Sequence, residues 1–360
     1  MADYDVVALG ELLIDFTQNG MSAQGNPLFE ANPGGAPCNV LAMLTKLGRN
    51  TAFIGKVGDD SFGHMLETAL KEQGISTKGL YFDKEVHTTL ALVHTAADGD
   101  RDFSFYRNPG ADMMLTADEV SEELISSARI FHFGTLSMTH EGVRAATEQA
   151  LNYAKNSGIL ISFDPNLREP LWSSLDEAAE MTRRGLSCCD ILKISDNEIQ
   201  WITGIDDYDD AIAALRKEYD IPLILLSLGK EGSRAYLRDL RVEVPAFVRN
   251  DTIETTGAGD TFGACCINYV LEHGNFSVSK ESGSTSGCST SPSGSILIPS
   301  GNNGSSNGAS DKSSVFADFT EEMLTEMLTF ANAAASIVTT KKGALRVMPE
   351  REEVLAYLKS

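Results

Sequence analysis

Apolar positions along the 360-residue chain fall into short runs of strand length that alternate with longer stretches of helical period. Val6 to Leu9, Thr51 to Val57, Ile130 to Phe133, Ile159 to Phe163, Ile191 to Ile194 and Leu223 to Leu228 are the strand candidates. Helical patterns separate most of them, at Asn39 to Leu47, Phe62 to Glu72, Glu141 to Asn156 and Asp209 to Tyr219. Near-continuous apolar strands need cover on both sides. The ordering therefore predicts an α/β fold with a mostly parallel sheet and helices on both faces.

Two segments depart from this pattern. Thr88 to Thr95 and Asp102 to Tyr106 alternate with period two around Asp98-Gly99, a turn signal, which predicts a small antiparallel unit. Strand parity puts Phe103, Phe105 and Arg107 on one face of it, which read alone is a packed face ending in a solvated cation. From Asn275 to about Ser314 the composition turns to Ser, Gly, Asn and Thr, interrupted only by Ile296, Leu297 and Ile298. Such a stretch cannot bury enough apolar surface to offset its ordering entropy, and it reads as a flexible insertion. Helical period resumes near Phe319 and runs to Val338.

Charge narrows the partners. With 51 acidic and 29 basic residues the net charge is -22, which repels nucleic acid and acidic membrane surfaces, so an anionic substrate must be caught locally. The first ten residues carry acids where a signal peptide carries bases, and no uncharged run approaches the roughly 20 residues of a membrane span. Six cysteines at 38, 188, 189, 265, 266 and 288 include no Cys-x-x-Cys and read as small buried residues in a reducing cytoplasm. His132, between Phe131 and Phe133, reads as a core histidine rather than a metal ligand.

The densest chemistry lies in Glu254-Thr255-Thr256-Gly257-Ala258-Gly259-Asp260-Thr261-Phe262, followed by the helix-like Gly263 to Ile267. Small residues at a helix start let backbone amides approach an anion, and the helix dipole favours negative charge there. Asp260 in the first turn would be kept ionised beside that anion and could take a proton from an attacking hydroxyl. Read in isolation, a Gly-x-Gly-Asp is a tight turn with a helix cap. The chain has no Gly-x4-Gly-Lys-Ser/Thr, and the spacing of Gly257, Gly259 and Gly263 is one residue too long for the dinucleotide fingerprint. An acid in the first turn would also repel a bound pyrophosphate.

Gly34-Gly35-Ala36-Pro37-Cys38-Asn39-Val40 and the Thr256-to-Asp260 run together resemble the two signatures of the ribokinase/PfkB carbohydrate kinases, in the form closest to fructokinases. The resemblance covers the chain except the insertion. It implies one domain over residues 1–360, a three-layer ribokinase-like sandwich with a small antiparallel β lid formed by segments about 11–33 and 78–112. It further implies transfer of phosphate from MgATP to a sugar, with fructose as the favoured acceptor and dimerisation through the lid. Relatives acting on ribose, 2-keto-3-deoxygluconate or a nucleoside, and a catalytically silent binding protein, share the fold.

Residue by residue, the resemblance assigns Asp260 as the base, with Gly257, Ala258, Gly259 and Arg168 stabilising the transferred phosphoryl. Asp15, Gly34, Gly35, Asn39 and Arg107 would hold the sugar. A carboxylate and an amide supply the acceptors and donors that a polyol needs, although Asp15 alone could end a strand and Asn39 start a helix. Asn166, Ser195, Ser227, Gly229, Gly232 and Asn332 would border the nucleotide, joined there by Gly257 and Gly259. Glu198 would organise Mg²⁺ through water. Glu254 stands where the family has aspartate beside a monovalent cation, which leaves potassium open, and the insertion's ends would flank the nucleotide-side helices.

Overall fold

The apolar runs become the inner strands of a nine-stranded sheet in the computed structural model, which describes residues 2–95, 101–276 and 312–360. The strands are β1 (Tyr4–Leu9), β2 (Leu13–Met21), β3 (Pro27–Gly34), β4 (Thr51–Gly58), β5 (Ser76–Asp83), β6 (Leu90–Thr95), β7 (Arg101–Tyr106), β8 (Ala128–Gly134), β9 (Leu160–Asp164), β10 (Ile191–Ser195), β11 (Leu223–Ser227), β12 (Gly232–Leu237) and β13 (Leu240–Pro245). The large sheet runs β13-β12-β11-β10-β9-β8-β1-β4-β5. It is parallel from β5 to β11, and β12 and β13 close one edge antiparallel.

Alternate residues of each central strand enter different cores, which is why these strands read as unbroken apolar runs. Val6, Ala8, Phe53 and Ile130 pack on one side, Val7, Leu9, Ile54 and Phe131 on the other. The helices are α1 (Ala36–Lys46), α2 (Ser61–Glu72), α3 (Glu122–Ser126), α4 (Glu141–Asn156), α5 (Leu175–Leu186), α6 (Asp196–Thr203), α7 (Tyr208–Glu218), α8 (Ala258–His273), α9 (Glu321–Val338) and α10 (Arg351–Tyr357). Helices α1, α2, α8, α9 and α10 cover the first face, and α3 to α7 the second. No helix among the described residues is long and apolar enough to cross a membrane.

A second, smaller sheet, β3-β2-β6-β7, lies where the lid was expected, and because β2 pairs parallel with β6 it is mixed rather than antiparallel. β6 and β7 pair antiparallel, with Ala91 opposite Phe105, while the turn at residues 96–100 and the side chain of Phe103 lie outside the described residues. Ser76–Asp83 is the edge strand of the large sheet, so the second lid segment is narrower than 78–112. The alternation around residue 80 fits an edge strand as well as a lid strand, and sequence pattern does not separate them. Asp60 couples lid to base. One carboxylate oxygen caps α2 by accepting from the Phe62 and Gly63 amides at 3.0 and 2.8 Å, and the other accepts the Thr88 amide at 2.9 Å just before β6.

Strand order reverses between β1 and β8. The chain builds outward from β1 through β4 to β5, then returns to β8 and proceeds through β9 to β11. At such a switch point the connections diverge and leave a crevice beyond the carboxyl ends of the strands.

Residues 277–311 of the Ser/Gly/Asn-rich insertion lie outside the described residues, but its two bases are placed. The Asn275 amide donates to the Val315 carbonyl at 3.0 Å, and Phe276 lies under the Arg129 guanidinium. Lys312 pairs with Asp190 at 2.9 Å, just ahead of β10. These contacts sit at the amino ends of β8 and β10. The insertion's ends therefore leave from the edge opposite the crevice, which corrects the expectation that they flank the nucleotide side.

Candidate active site

The crevice at the switch point is a cleft of ≈ 720 Å³. Glu11 enters it from the end of β1, Asp15 from β2, Gly35 and Asn39 from the start of α1, Asn166 and Arg168 from the loop after β9, Lys193 and Ser195 from β10, and Gly257, Gly259 and Asp260 from the start of α8. A second cavity of ≈ 500 Å³ shares Ser227, Gly229 and Gly259 with it and continues past Gly232, Ala258 and Asn332.

Backbone geometry explains the small residues. Gly257, with φ of 78°, is the left-handed residue that starts α8, and a side chain there would come within 2.7 Å of the Ala344 Cβ. The Ala258 amide turns back onto the Thr255 carbonyl at 3.2 Å, so it does not face the cleft as the sequence reading had it. The amides of Gly257, Gly259 and Asp260 find no acceptor among the described residues and remain available to an anion. In the other signature a Cβ on Gly34 would fall 2.3 Å from the Asp15 carboxylate, and one on Gly35, at φ of 126°, 2.3 Å from the Glu11 carbonyl. Gly34 thus does not line the cleft; its missing side chain is what lets Asp15 occupy its place.

Asn39 and Asp260, 221 residues apart, meet in the cleft. The Asn39 amide donates to one Asp260 oxygen at 2.8 Å, while the buried Asn39 Oδ1 has no hydrogen-bond partner among the described residues. A buried acceptor left unpaired costs stability unless a ligand completes it.

The electrostatics follow from burial. Burial raises the Asp260 carboxyl above the usual aspartate range, and the Asn39 hydrogen bond, Lys193 and Arg168 only partly offset it. This corrects the expectation that the helix dipole dominates: Asp260 is a stronger base than an ordinary aspartate. Burial also pushes Asp15 up to about 7 against Arg168, with Glu254 and Asp260 adding repulsion, and pushes Glu11 up to about 7. Glu198 is lowered, because although burial works to raise it, Lys193 and its hydrogen bonds prevail. Its Oε1 accepts the Leu167 amide at 2.8 Å and its Oε2 both the amide and the hydroxyl of Ser195, at 2.9 and 2.7 Å. Among the described residues no three His, Cys, Asp or Glu side chains converge to hold a metal alone.

Comparison with known proteins agrees with this geometry. The model of the pfkB family carbohydrate kinases matches residues 3–297. The chain belongs to that family. This pfkB-family kinase is 39% identical over 356 residues to a probable fructokinase-2 of Arabidopsis thaliana, covering 98% of this chain and 95% of that one. It is 39% identical to fructokinase-1 of Zea mays over 355 residues, covering 98% and 97%. A fructokinase of Xylella fastidiosa, solved with bound ATP, superposes with a TM-score of 0.81 at 27% identity over 99% of this chain and 98% of that one.

Arg107 and Asn332 are more tightly engaged by the protein than the sequence suggested. Arg107 does not line the cleft. Its guanidinium is buried, donating to Asp112 from Nε and NH2 at 2.8 and 2.7 Å, to the Thr139 hydroxyl at 2.9 Å and to the Leu136 carbonyl at 3.0 Å. Asp112 also accepts the Thr89 hydroxyl, so Arg107 joins the lid to the loop after β8, whereas Phe105 does face the cleft. Asn332 lines the second cavity with its amide already engaged. Its Oδ1 accepts from Ser233 at 2.9 Å and its Nδ2 donates to the carbonyls of Val244 and Pro245 at 3.1 and 3.2 Å. These bonds tie α9 to the end of β13 while the residue still borders the cavity.

Glu11 and Lys193 are cleft residues that the sequence reading passed over. The signal was present in both cases: a single charged residue inside an apolar run, Leu9-Gly10-Glu11-Leu12-Leu13 and Ile191-Leu192-Lys193-Ile194.

Proposed function

We propose that the protein is a fructokinase, transferring the terminal phosphoryl of ATP to a primary hydroxyl of fructose to give fructose 6-phosphate and ADP. The observation that carries the reading is the Asn39–Asp260 pair, a base with raised proton affinity beside an unfilled buried acceptor. The similarity to plant fructokinases over nearly the whole chain supports the choice of sugar. Asp15, Gly35 and Asn39 hold the sugar, with Asn39 Oδ1 accepting a hydrogen bond from one hydroxyl. Asp260 accepts the proton of the attacking hydroxyl as its oxygen bonds the terminal phosphorus and the bond to the bridging oxygen breaks. The Gly257, Gly259 and Asp260 amides and Arg168 carry the charge on the transferring group. Ser195, Ser227, Gly229 and Gly232 border the nucleotide, and Asn166 sits where its phosphates meet the sugar.

Mg²⁺ fits the donor set as an ion bound mainly by phosphate oxygens and water, with the ionised Glu198 reaching it through water; when bound it offsets phosphate charge. Glu254 accepts the Gly343 amide at 2.6 Å, so this side chain links the loop before α8 to the 340s loop. The lid carries the exposed apolar side chains Met21, Leu28, Phe29 and Tyr106, which supports dimerisation through it.

A coupled assay with MgATP and a panel of fructose, ribose, 2-keto-3-deoxygluconate and a nucleoside tests the assignment. Fructose is expected to have the highest kcat/KM. Phosphorylation of another acceptor without formation of fructose 6-phosphate would replace the sugar and keep the kinase.

A further inference from the structure

Lys193 sits on β10 with the same parity as Ile191, on the face of the sheet that packs against α8. An apolar residue would be expected there. The lysine is 9% exposed, and a Cβ built on Gly259 would stand 3.3 Å from its ammonium, so it lies directly under the start of α8. Both Asp164 oxygens hold it, at 3.0 and 3.2 Å. An ammonium has three donors, and Asp164 uses at most two.

The charge balance of the cleft gives this placement its meaning. Glu11, Asp15, Glu169, Asp196, Glu198 and Asp260 line it, against Arg168 and Lys193. Arg168 stands on an exposed loop. Lys193 is the buried cation among the lining residues, fixed beside the amides of Gly259 and Asp260, where the phosphoryl must arrive if Asp260 is to deprotonate its acceptor.

We propose that Lys193 is a catalytic contact of the transferring phosphoryl. Its remaining N–H donates to a non-bridging oxygen of the terminal phosphate, and Asp164 keeps the ammonium aimed there. The lysine stays protonated throughout and forms no covalent bond. The inference rests on the phosphotransfer reading and adds to it a residue that touches the group in flight. A bland alternative is that Lys193 only neutralises buried Asp164.

Lys193→Met and the charge-balanced double variant Lys193→Met/Asp164→Asn, both in the full chain, separate these roles. The first is expected to lower kcat about 100-fold with the sugar KM changed less than about threefold. By calorimetry a non-hydrolysable ATP analogue should bind at least about tenfold more weakly, while ADP, lacking the terminal phosphate, changes less than about threefold. The double variant should stay as slow as the single one. A single variant within about threefold of wild type, or a double variant restored to wild-type turnover, overturns the proposal. Should the single variant fail to fold, the double variant, with no unpaired charge, carries the same two readouts. A wild-type protein that phosphorylates no sugar would sink the phosphotransfer reading instead. Lys193 is then judged by the nucleotide arm, where equal weakening of ADP and the analogue counts against it.

Discussion

The two edges of the large sheet carry similar residues to opposite ends. At the amino edge charges are closed off: Asp190 holds Lys312, Asp5 pairs with Arg129 at 3.3 Å, and Arg238 reaches the carbonyls of Phe316, Ala317 and Phe319. At the carboxyl edge comparable groups are left incomplete. Asp15, Glu11 and Asp260 have raised proton affinities, and among the described residues the Asn39 carbonyl and the amides of Gly257, Gly259 and Asp260 have no partner. A folded chain tolerates such groups where a ligand will complete them. The difference marks which edge does chemistry and which holds the fold.

Arg107 tests the boundary between the two kinds of group. Replacing it with Ala leaves Asp112 buried and unpaired, at a cost of about 3–5 kcal/mol, so a marked fall in thermal midpoint is expected. An unchanged midpoint with a raised sugar KM would return Arg107 to the sugar site.

Asp15→Asn should move function and stability in opposite directions. Loss of a charged acceptor is expected to raise the sugar KM by about tenfold or more. The folded-state carboxyl titrates at about 7, above its ordinary value, so the native protein holds this proton more tightly than the unfolded chain does. The resulting stability is present at low pH and lost as pH rises through 7. The variant should therefore melt higher than wild type at pH 8, and the gain should shrink toward pH 5. A gain that grows on acidification would contradict the assigned cause.

Replacing residues 277–311 with a short Gly/Ser linker has the smallest expected effect. Its bases lie together at the closed edge, so the KM for ATP should stay within about twofold. A large rise would tie the insertion to the cleft.

The central strands and main helices were legible because burial on both faces leaves apolar runs that periodicity detects. The edge strands β5, β12 and β13 and the lid strands β2 and β3 were not. Exposed positions break up their apolar runs, as over Pro27 to Glu30 of β3 or at Glu243 in β13. The two signatures placed Asp15, Gly35, Asn39 and Asp260 together in the sequence reading because glycine requirements and short polar side chains leave local marks. Arg107 was expected in the cleft and Asn332 with a free amide, and both departures have one reason. Whether a polar side chain faces a ligand or another part of the protein depends on partners distant in sequence, here Thr139 and Ser233. Lys193 was overlooked because its strand was read for its apolar residues.

Replacing Asp260 with Asn tests the account most directly, because the amide keeps the size and the neighbour but cannot take a proton. The account predicts a loss of kcat of about 100-fold or more, with fructose affinity within about threefold. It also predicts that wild-type kcat falls on acidification through a value above the ordinary aspartate range, since Asp260 must be deprotonated to act. A variant that still forms fructose 6-phosphate within about tenfold of the wild-type rate would contradict Asp260 as the base.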